Sequence, residues 1–251
     1  MGFEVIAFDA DDTLWHNESL YSHAQARFQE IVGAYSADNG VLDDLYETEM
    51  ANLPLFGYGI KSFALSMIET AIRISGGRIE ASEIEEILDI AKEMKRAPVS
   101  LLDHAEDAVR ALSQSHRLML ITKGDLLDQE RKIANSGLAV HFDHVEVVTD
   151  KTESVYRELL TRHGIAPERF LMVGNSLRSD ILPVVALGGR AVYIPYHLTW
   201  AHETVSVHPQ EAGAYAQLEH IGLLPAFVEQ LVGHGAGSHV EQSPIEKEEG
   251  R

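Results

Sequence analysis

The chain has 251 residues, 45% hydrophobic and 24% charged, the balance of a soluble globular protein long enough to bury a full core without covalent staples. Its 39 acidic residues against 20 basic ones give a net charge of −19, which argues against a broad nucleic-acid or anionic-membrane surface, because both need a basic patch. The lack of cysteine excludes disulfides, thiol nucleophiles, thiolate metal sites and iron–sulfur clusters.

The first twelve residues carry acidic side chains and no basic stretch before a short apolar run, so they do not read as a signal peptide. No apolar run approaches the ~20 residues of a membrane span, and a cytoplasmic protein is expected. Glu4-Val-Ile-Ala-Phe-Asp9 reads as a buried strand, followed at once by Asp11, Asp12 and Thr13. From about Asn17 to Arg96 the pattern is helical. Leu20, Ala24, Phe28, Ile31 and Tyr35 form one stripe, Leu65, Ile68 and Ile72 a second, and Ile84, Ile87, Leu88, Ala91 and Met94 a third. Pro98 marks a boundary.

After Pro98 short apolar strands alternate with helices. The expected helices are Asp103 to Gln114, Leu127 to Asn135, Ser154 to His163, Asp180 to Leu187 and Leu223 to Val232. The expected strands are Arg117 to Thr122, Val145 to Thr149, Phe170 to Gly174 and Arg190 to Pro195. This alternation predicts an α/β fold, a Rossmann-like three-layer parallel sheet, with an all-helical insertion after its first strand. The expected organisation is a core of residues 1–15 and 99–233, a helical block of residues 16–98, and a Gly-, Ser-, His- and Glu-rich tail of residues 234–251 that reads as disordered.

In an open parallel sheet, ligands bind outside the carboxyl ends of the strands. Those ends carry Asp9, Asp11, Asp12 and Thr13; then Thr122, Lys123 and Gly124; then Asp150 and Lys151; then Gly174, Asn175, Ser176 and, a turn later, Asp180. Carboxylates, lysines, a hydroxyl and an amide therefore converge on one edge. Each residue also has an ordinary reading. Asp9 and Asp11 could be a solvated strand end, Thr122 a turn hydroxyl and Lys151 an exposed helix-start lysine. Asn175 could cap a helix and Asp180 complement its dipole.

Taken in order, these segments resemble the haloacid dehalogenase superfamily. Phe8-Asp-Ala-Asp-Asp-Thr-Leu14 is similar to its first motif, Ile121-Thr-Lys-Gly124 to its second, Lys151 leading into a helix to its third, and Val173-Gly-Asn-Ser-Leu-Arg-Ser-Asp180 to its fourth. The helical block stands where that family places a C1-type cap. The resemblance implies phosphoryl transfer through an aspartyl-phosphate. Asp9 would be the nucleophile and Asp11 the general acid and base. Thr122, with Lys123 and Gly124, would bind the phosphoryl group, and Lys151 would hold charge on Asp9. Mg²⁺ would be held by the Asp9 carboxylate, the Asp11 carbonyl, Asn175 and Asp180, because a carboxylate approaching a phosphate needs a divalent cation between them.

Three positions depart from the family pattern. Asn175 replaces the usual Asp, which weakens the metal site and makes Asp180 its main acid, as ligand or as orienter. Lys123 replaces a frequent Asn, and Asp12 a frequent Gly. Retention of Asp11 favours phosphate chemistry, since a halide leaves without protonation. The expected function is Mg²⁺-dependent hydrolysis of a small-molecule phosphate monoester. The alternatives are a 2-haloacid dehalogenase, a phosphomutase, or a binding protein that kept the fold. The Phe56-Gly-Tyr-Gly-Ile-Lys61 loop could close over the site or be a plain interhelical turn.

Overall fold

The computed structural model describes residues 2–36, 40–198, 200–203 and 215–234. The tail expected to be disordered falls, beyond residue 234, outside them.

Six parallel strands form one sheet: β1 (Val5–Phe8), β2 (Arg117–Lys123), β3 (His144–Val148), β4 (Phe170–Gly174), β5 (Arg190–Tyr193) and β6 (Ala216–Gln217). Their order across the sheet is β3-β2-β1-β4-β5-β6, so the chain winds outward from β1 in both directions. The apolar residues of β1 alternate between two separate cores. Ile6 and Phe8 pack on the side of α5 (Ala105–Ser113), α6 (Leu126–Ser136) and α9 (Leu224–His234). Val5 and Ala7 pack on the side of α7 (Glu153–His163) and α8 (Leu182–Ala186). A strand covered on both faces has no polar side, which is why VIAF reads as an unbroken apolar run.

Four helices make up the insert that follows β1: α1 (Glu18–Val32), α2 (Val41–Phe56), α3 (Ile60–Ser75) and α4 (Ala81–Arg96). They bury their own core around Phe28, Leu45, Met67, Ile87 and Ile90. The two chain segments joining this insert to the sheet run side by side. Trp15 bridges Leu101, His16 N–H donates to Ser100 O at 3.0 Å, and Leu102 N–H donates to Leu14 O at 2.9 Å. The hydrophobic stripes account for α1, α3 and α4 but not α2. The buried face of α2 includes Thr48 and Asn52, which hydrogen-bond Thr70 and Ser66 of α3. Such a polar seam leaves little hydrophobic periodicity to read.

The expected helix at Asp180 differs as well. A wide π-type turn, Leu177–Ile181, precedes the short α8. Ser176 starts this turn by accepting from Ser179 N–H on its side chain, and the extra residue per turn swings Asp180 inward. Gly174 makes room for it, since a Cβ there would lie 2.6 Å from Asp180 Cβ.

Candidate active site

The carboxyl ends of β1, β2 and β4 and the loop after β3 meet beneath the insert. Asp9 follows β1, fixed by its backbone N–H donating to Val173 O at 2.9 Å. The residue is buried and its carboxylate is bonded on both oxygens. Oδ1 accepts from Lys151 Nζ at 2.5 Å and Oδ2 from Thr13 Oγ1 at 2.8 Å. Lys151 is buried between two acids, its second bond running 2.7 Å to Asp180 Oδ1. Burial disfavours the Lys151 charge, but the Asp180 and Asp9 carboxylates outweigh it and hold the ammonium above its ordinary range. The other Asp180 oxygen accepts from Ser176 N–H at 3.0 Å. Both Asp180 oxygens are thus committed to positioning Lys151 and the β4 loop.

Asn175 lies on the opposite side of Asp9. The end of its amide that faces the site sits 3.2 Å from Asp9 Oδ2, 3.2 Å from Thr13 Oγ1 and 3.3 Å from the Asp11 carbonyl. With nitrogen there, the amide donates to all three. With oxygen there, three oxygens of different kinds converge on one point: a carboxylate, a backbone carbonyl and a side-chain amide. A hard divalent cation takes this donor set, so the residues present fit Mg²⁺. Among the described residues no group of three or more His, Asp or Glu side chains gathers into a metal site. The candidate corner thus rests on one carboxylate and two neutral oxygens.

Asp11 points elsewhere. Lys132 Nζ contacts its two oxygens at 2.6 and 2.7 Å, Trp15 Nε1 donates to Oδ1 at 2.6 Å, and Gln129 Nε2 donates to Oδ2 at 3.1 Å. The same Gln129 nitrogen reaches Thr122 Oγ1 at 2.5 Å and the Lys123 carbonyl at 3.0 Å. Gln129 and Lys132 sit one turn apart on α6, so one helix face ties the ends of β1 and β2 together. Gly124, with φ +137°, turns the chain from β2 into that helix over the Gln129 side chain.

Asp12 plays a different part. Its φ is +62°, and its carboxylate accepts from Asn17 N–H at 2.8 Å and Glu18 N–H at 3.0 Å. It therefore caps α1, whose own N-cap residue Asn17 makes no side-chain cap bond. Lys123 is engaged with Glu203 and with Ser179 Oγ at 3.0 Å, and lies 4.3 Å from the centre of the Tyr58 ring. Burial alone would raise the Glu203 carboxyl. Lys123 and the Ser176 and Ser179 hydroxyls outweigh it and draw it down to about 2.

A cavity of about 170 Å³ opens over Asp9. Asp9, Asp11, Thr122, Lys123, Gly124, Lys151, Asn175 and Asp180 all line it. From the insert come Glu18, Tyr21, Glu49 and Phe63, together with Tyr58 of the α2–α3 loop, so that loop does face the site. Gln129, Lys132, Glu18 and Glu49 are absent from the sequence motifs, and Glu203, in the segment after the fifth strand that is expected to border the same edge, has no role assigned from sequence. Their signal in the sequence is a polar side chain on an otherwise buried helix face, or, for Glu203, an acid in an irregular segment with no periodicity at all.

A family model for haloacid dehalogenase-like hydrolases matches residues 3–188. A haloacid dehalogenase-like family hydrolase from Xanthomonas campestris is 37% identical, with a TM-score of 0.83 over 94% of each chain. The glyceraldehyde 3-phosphate phosphatase of Methanothermobacter thermautotrophicus is 35% identical over 94 residues, 36% of this chain. The match spans only 42% of that relative's length. The human N-acylneuraminate-9-phosphatase is 23% identical over 70% of this chain and 76% of its own. This chain belongs to the haloacid dehalogenase-like hydrolase family.

Proposed function

We propose that the protein is a Mg²⁺-dependent phosphatase that hydrolyses a small-molecule phosphate monoester through an aspartyl-phosphate on Asp9. One observation carries the reading. Asp9 is held between a buried ammonium, Lys151, and an oxygen corner made with Asn175 and the Asp11 carbonyl, on the floor of a cavity. Two relatives that share part of the chain are named as phosphatases of small phosphate esters.

Asp9, Asn175 and the Asp11 carbonyl would hold the cation, with Asp180 orienting Lys151 beside them. When bound, the cation neutralises the phosphate and lets a carboxylate approach it. An Asp9 oxygen attacks phosphorus, and the bond from phosphorus to the ester oxygen breaks. Lys151 keeps its proton and balances the charge spread over Asp9 and the transferring group. Thr122, locked by Gln129, offers its hydroxyl to a phosphoryl oxygen. Asp11 enters this step protonated, gives that proton to the departing alkoxide, and regains one from the water that attacks the acyl phosphate. Inorganic phosphate leaves and Asp9 is restored.

A specific feature weighs against the 2-haloacid alternative. Every insert residue lining the cavity is neutral or acidic, so no cationic side chain on that side receives a substrate carboxylate. The test is release of p-nitrophenol from p-nitrophenyl phosphate with and without Mg²⁺. Turnover should require the metal and fall by at least ~10³-fold in Asp9→Asn. Halide release from 2-haloacids without metal, or full activity in Asp9→Asn, would overturn the reading.

A further inference from the structure

The cationic side chains that line the cavity lie at one end of it. Its floor holds Lys123, Lys132 and Lys151, each paired with an acid of the core. Its roof holds Glu18 of α1 and Glu49 of α2, which are close enough to interact and have no cationic side chain within ion-pair distance among the described residues. Glu49 accepts a hydrogen bond from Trp200, whose ring packs edge-on against Tyr58 at 6.1 Å. Tyr21, packed against Phe63 at 5.0 Å, completes an aromatic wall beside the two acids.

Two carboxyl groups in a half-buried aromatic pocket leave a desolvation cost that the Trp200 hydrogen bond to Glu49 offsets only in part. Burial pushes Glu49 up to about 7 and, with help from Asp12 and Glu49, Glu18 up to about 8. A cation entering the roof offsets that cost twice, through the carboxylates and through the ring faces. A phosphate entering the floor would meet the opposite field where Mg²⁺ is held beside Asp9, the floor lysines being already paired with acids. The cavity thus matches a molecule with a phosphate at one end and a positive charge at the other.

Resting on the phosphatase reading, we propose that the substrate is an aminoalkyl phosphate monoester, its ammonium seated against Glu18 and Glu49 beside Trp200. Hydrolysis breaks its phosphorus–ester oxygen bond, water supplies the hydroxyl to phosphate and the proton to the alkoxide, and an amino alcohol leaves. Glu18 and Glu49 are specificity residues that do not touch the reacting atoms.

The test uses the full chain with Mg²⁺ and measures phosphate release. The substrates are straight-chain alkyl phosphates of matched, increasing length, ending in ammonium, hydroxyl or carboxylate. At the best length the ammonium series should exceed the hydroxyl series in kcat/KM by about 10-fold and the carboxylate series by about 100-fold. Glu49→Gln and Glu18→Gln, made separately, should each bring the ammonium-to-hydroxyl ratio below about 2, mostly through KM. Circular dichroism of each variant reports its folding, and the wild-type ratio decides if neither folds. A wild-type ratio of one or less, or a ratio unchanged in both variants, overturns the proposal and leaves the phosphatase reading standing. No phosphate from any ester, p-nitrophenyl phosphate included, overturns both.

Discussion

Lys132 grips both carboxylate oxygens of Asp11, at 2.6 and 2.7 Å, and also reaches Asn17 Oδ1 at 3.2 Å. One ammonium therefore joins the proposed acid–base residue to the start of the helical insert. With Trp15 and Gln129 it fixes the carboxylate from three sides. Lys132→Met should lower kcat by about 10- to 100-fold and change KM by no more than about 2-fold, because the acid–base group loses its orientation and the phosphate site does not. Lys132→Arg should restore much of the loss. Steady-state kinetics on an alkyl phosphate check this. An equal fall in stability and activity with no recovery in the Arg variant would reduce Lys132 to a structural ion pair.

Asp12 makes a prediction of rank order. Its φ of +62° strains any residue with a Cβ, Asn and Asp least, and its carboxylate supplies the cap that α1 lacks. Asp12→Asn keeps both tolerance and an acceptor, so it should cost under about 1 kcal/mol. Asp12→Gly loses the cap and relieves the backbone, for about 1 kcal/mol. Asp12→Ala loses the cap and keeps the strain, for about 2–3 kcal/mol. Urea denaturation of the three variants orders them, and an Ala variant as stable as the Asn variant would refute the capping account.

Asn175 sets the charge of the candidate metal corner. Asn175→Asp places a second anionic oxygen about where the amide now lies 3.2 Å from Asp9 Oδ2. Without cation the variant should lose roughly 1–2 kcal/mol to carboxylate repulsion. With Mg²⁺ it should bind about 10-fold tighter, because a hard cation gains from each added charge. Thermal unfolding across a Mg²⁺ titration reads both effects through ligand-linked stabilisation, independently of turnover. Identical midpoints for wild type and variant at every Mg²⁺ concentration would place the cation elsewhere.

What the sequence displays is what is local. A strand buried on both faces shows as an apolar run, and the polar residues at its end need no partner to be noticed. That is why Asp9, Thr122, Lys151 and Asn175 are visible as strand-end chemistry. Gln129 and Lys132 are hidden because α6 offers them on the same helix as ordinary surface charge, and only the packing of that helix against β1 and β2 turns them inward. Helix α2 is hidden for a related reason: its contact with α3 uses Thr48, Asn52, Ser66 and Thr70, where hydrogen bonds replace hydrophobic burial. Asp12 is readable as an acid but not as a cap, because its partners lie across a loop whose left-handed turn is a property of the folded chain.

Glu49 supplies a pH dependence with a definite sign. Burial raises its folded pKa to about 7 from an ordinary 4.5, with the Trp200 hydrogen bond opposing. Between those values the folded state binds more protons than the unfolded state, so this group makes stability fall as pH rises from about 4.5 to about 7. Outside that window its contribution is flat. Glu49→Gln keeps an acceptor for Trp200 and removes the titration. The variant should exceed wild type by on the order of 2 kcal/mol above neutral pH and converge with it toward pH ~4.5. Glu18 faces Glu49 and carries the same sign, so the double Gln variant should gain less than the two singles together, because removing either acid already relieves the other. Denaturation curves for the four proteins at acid and at mildly alkaline pH separate the outcomes. A gain of the same size at both would mean that Glu49 is stabilised by packing rather than held ionised at a cost, and the roof of the cavity would then have no unbalanced charge to offer a substrate.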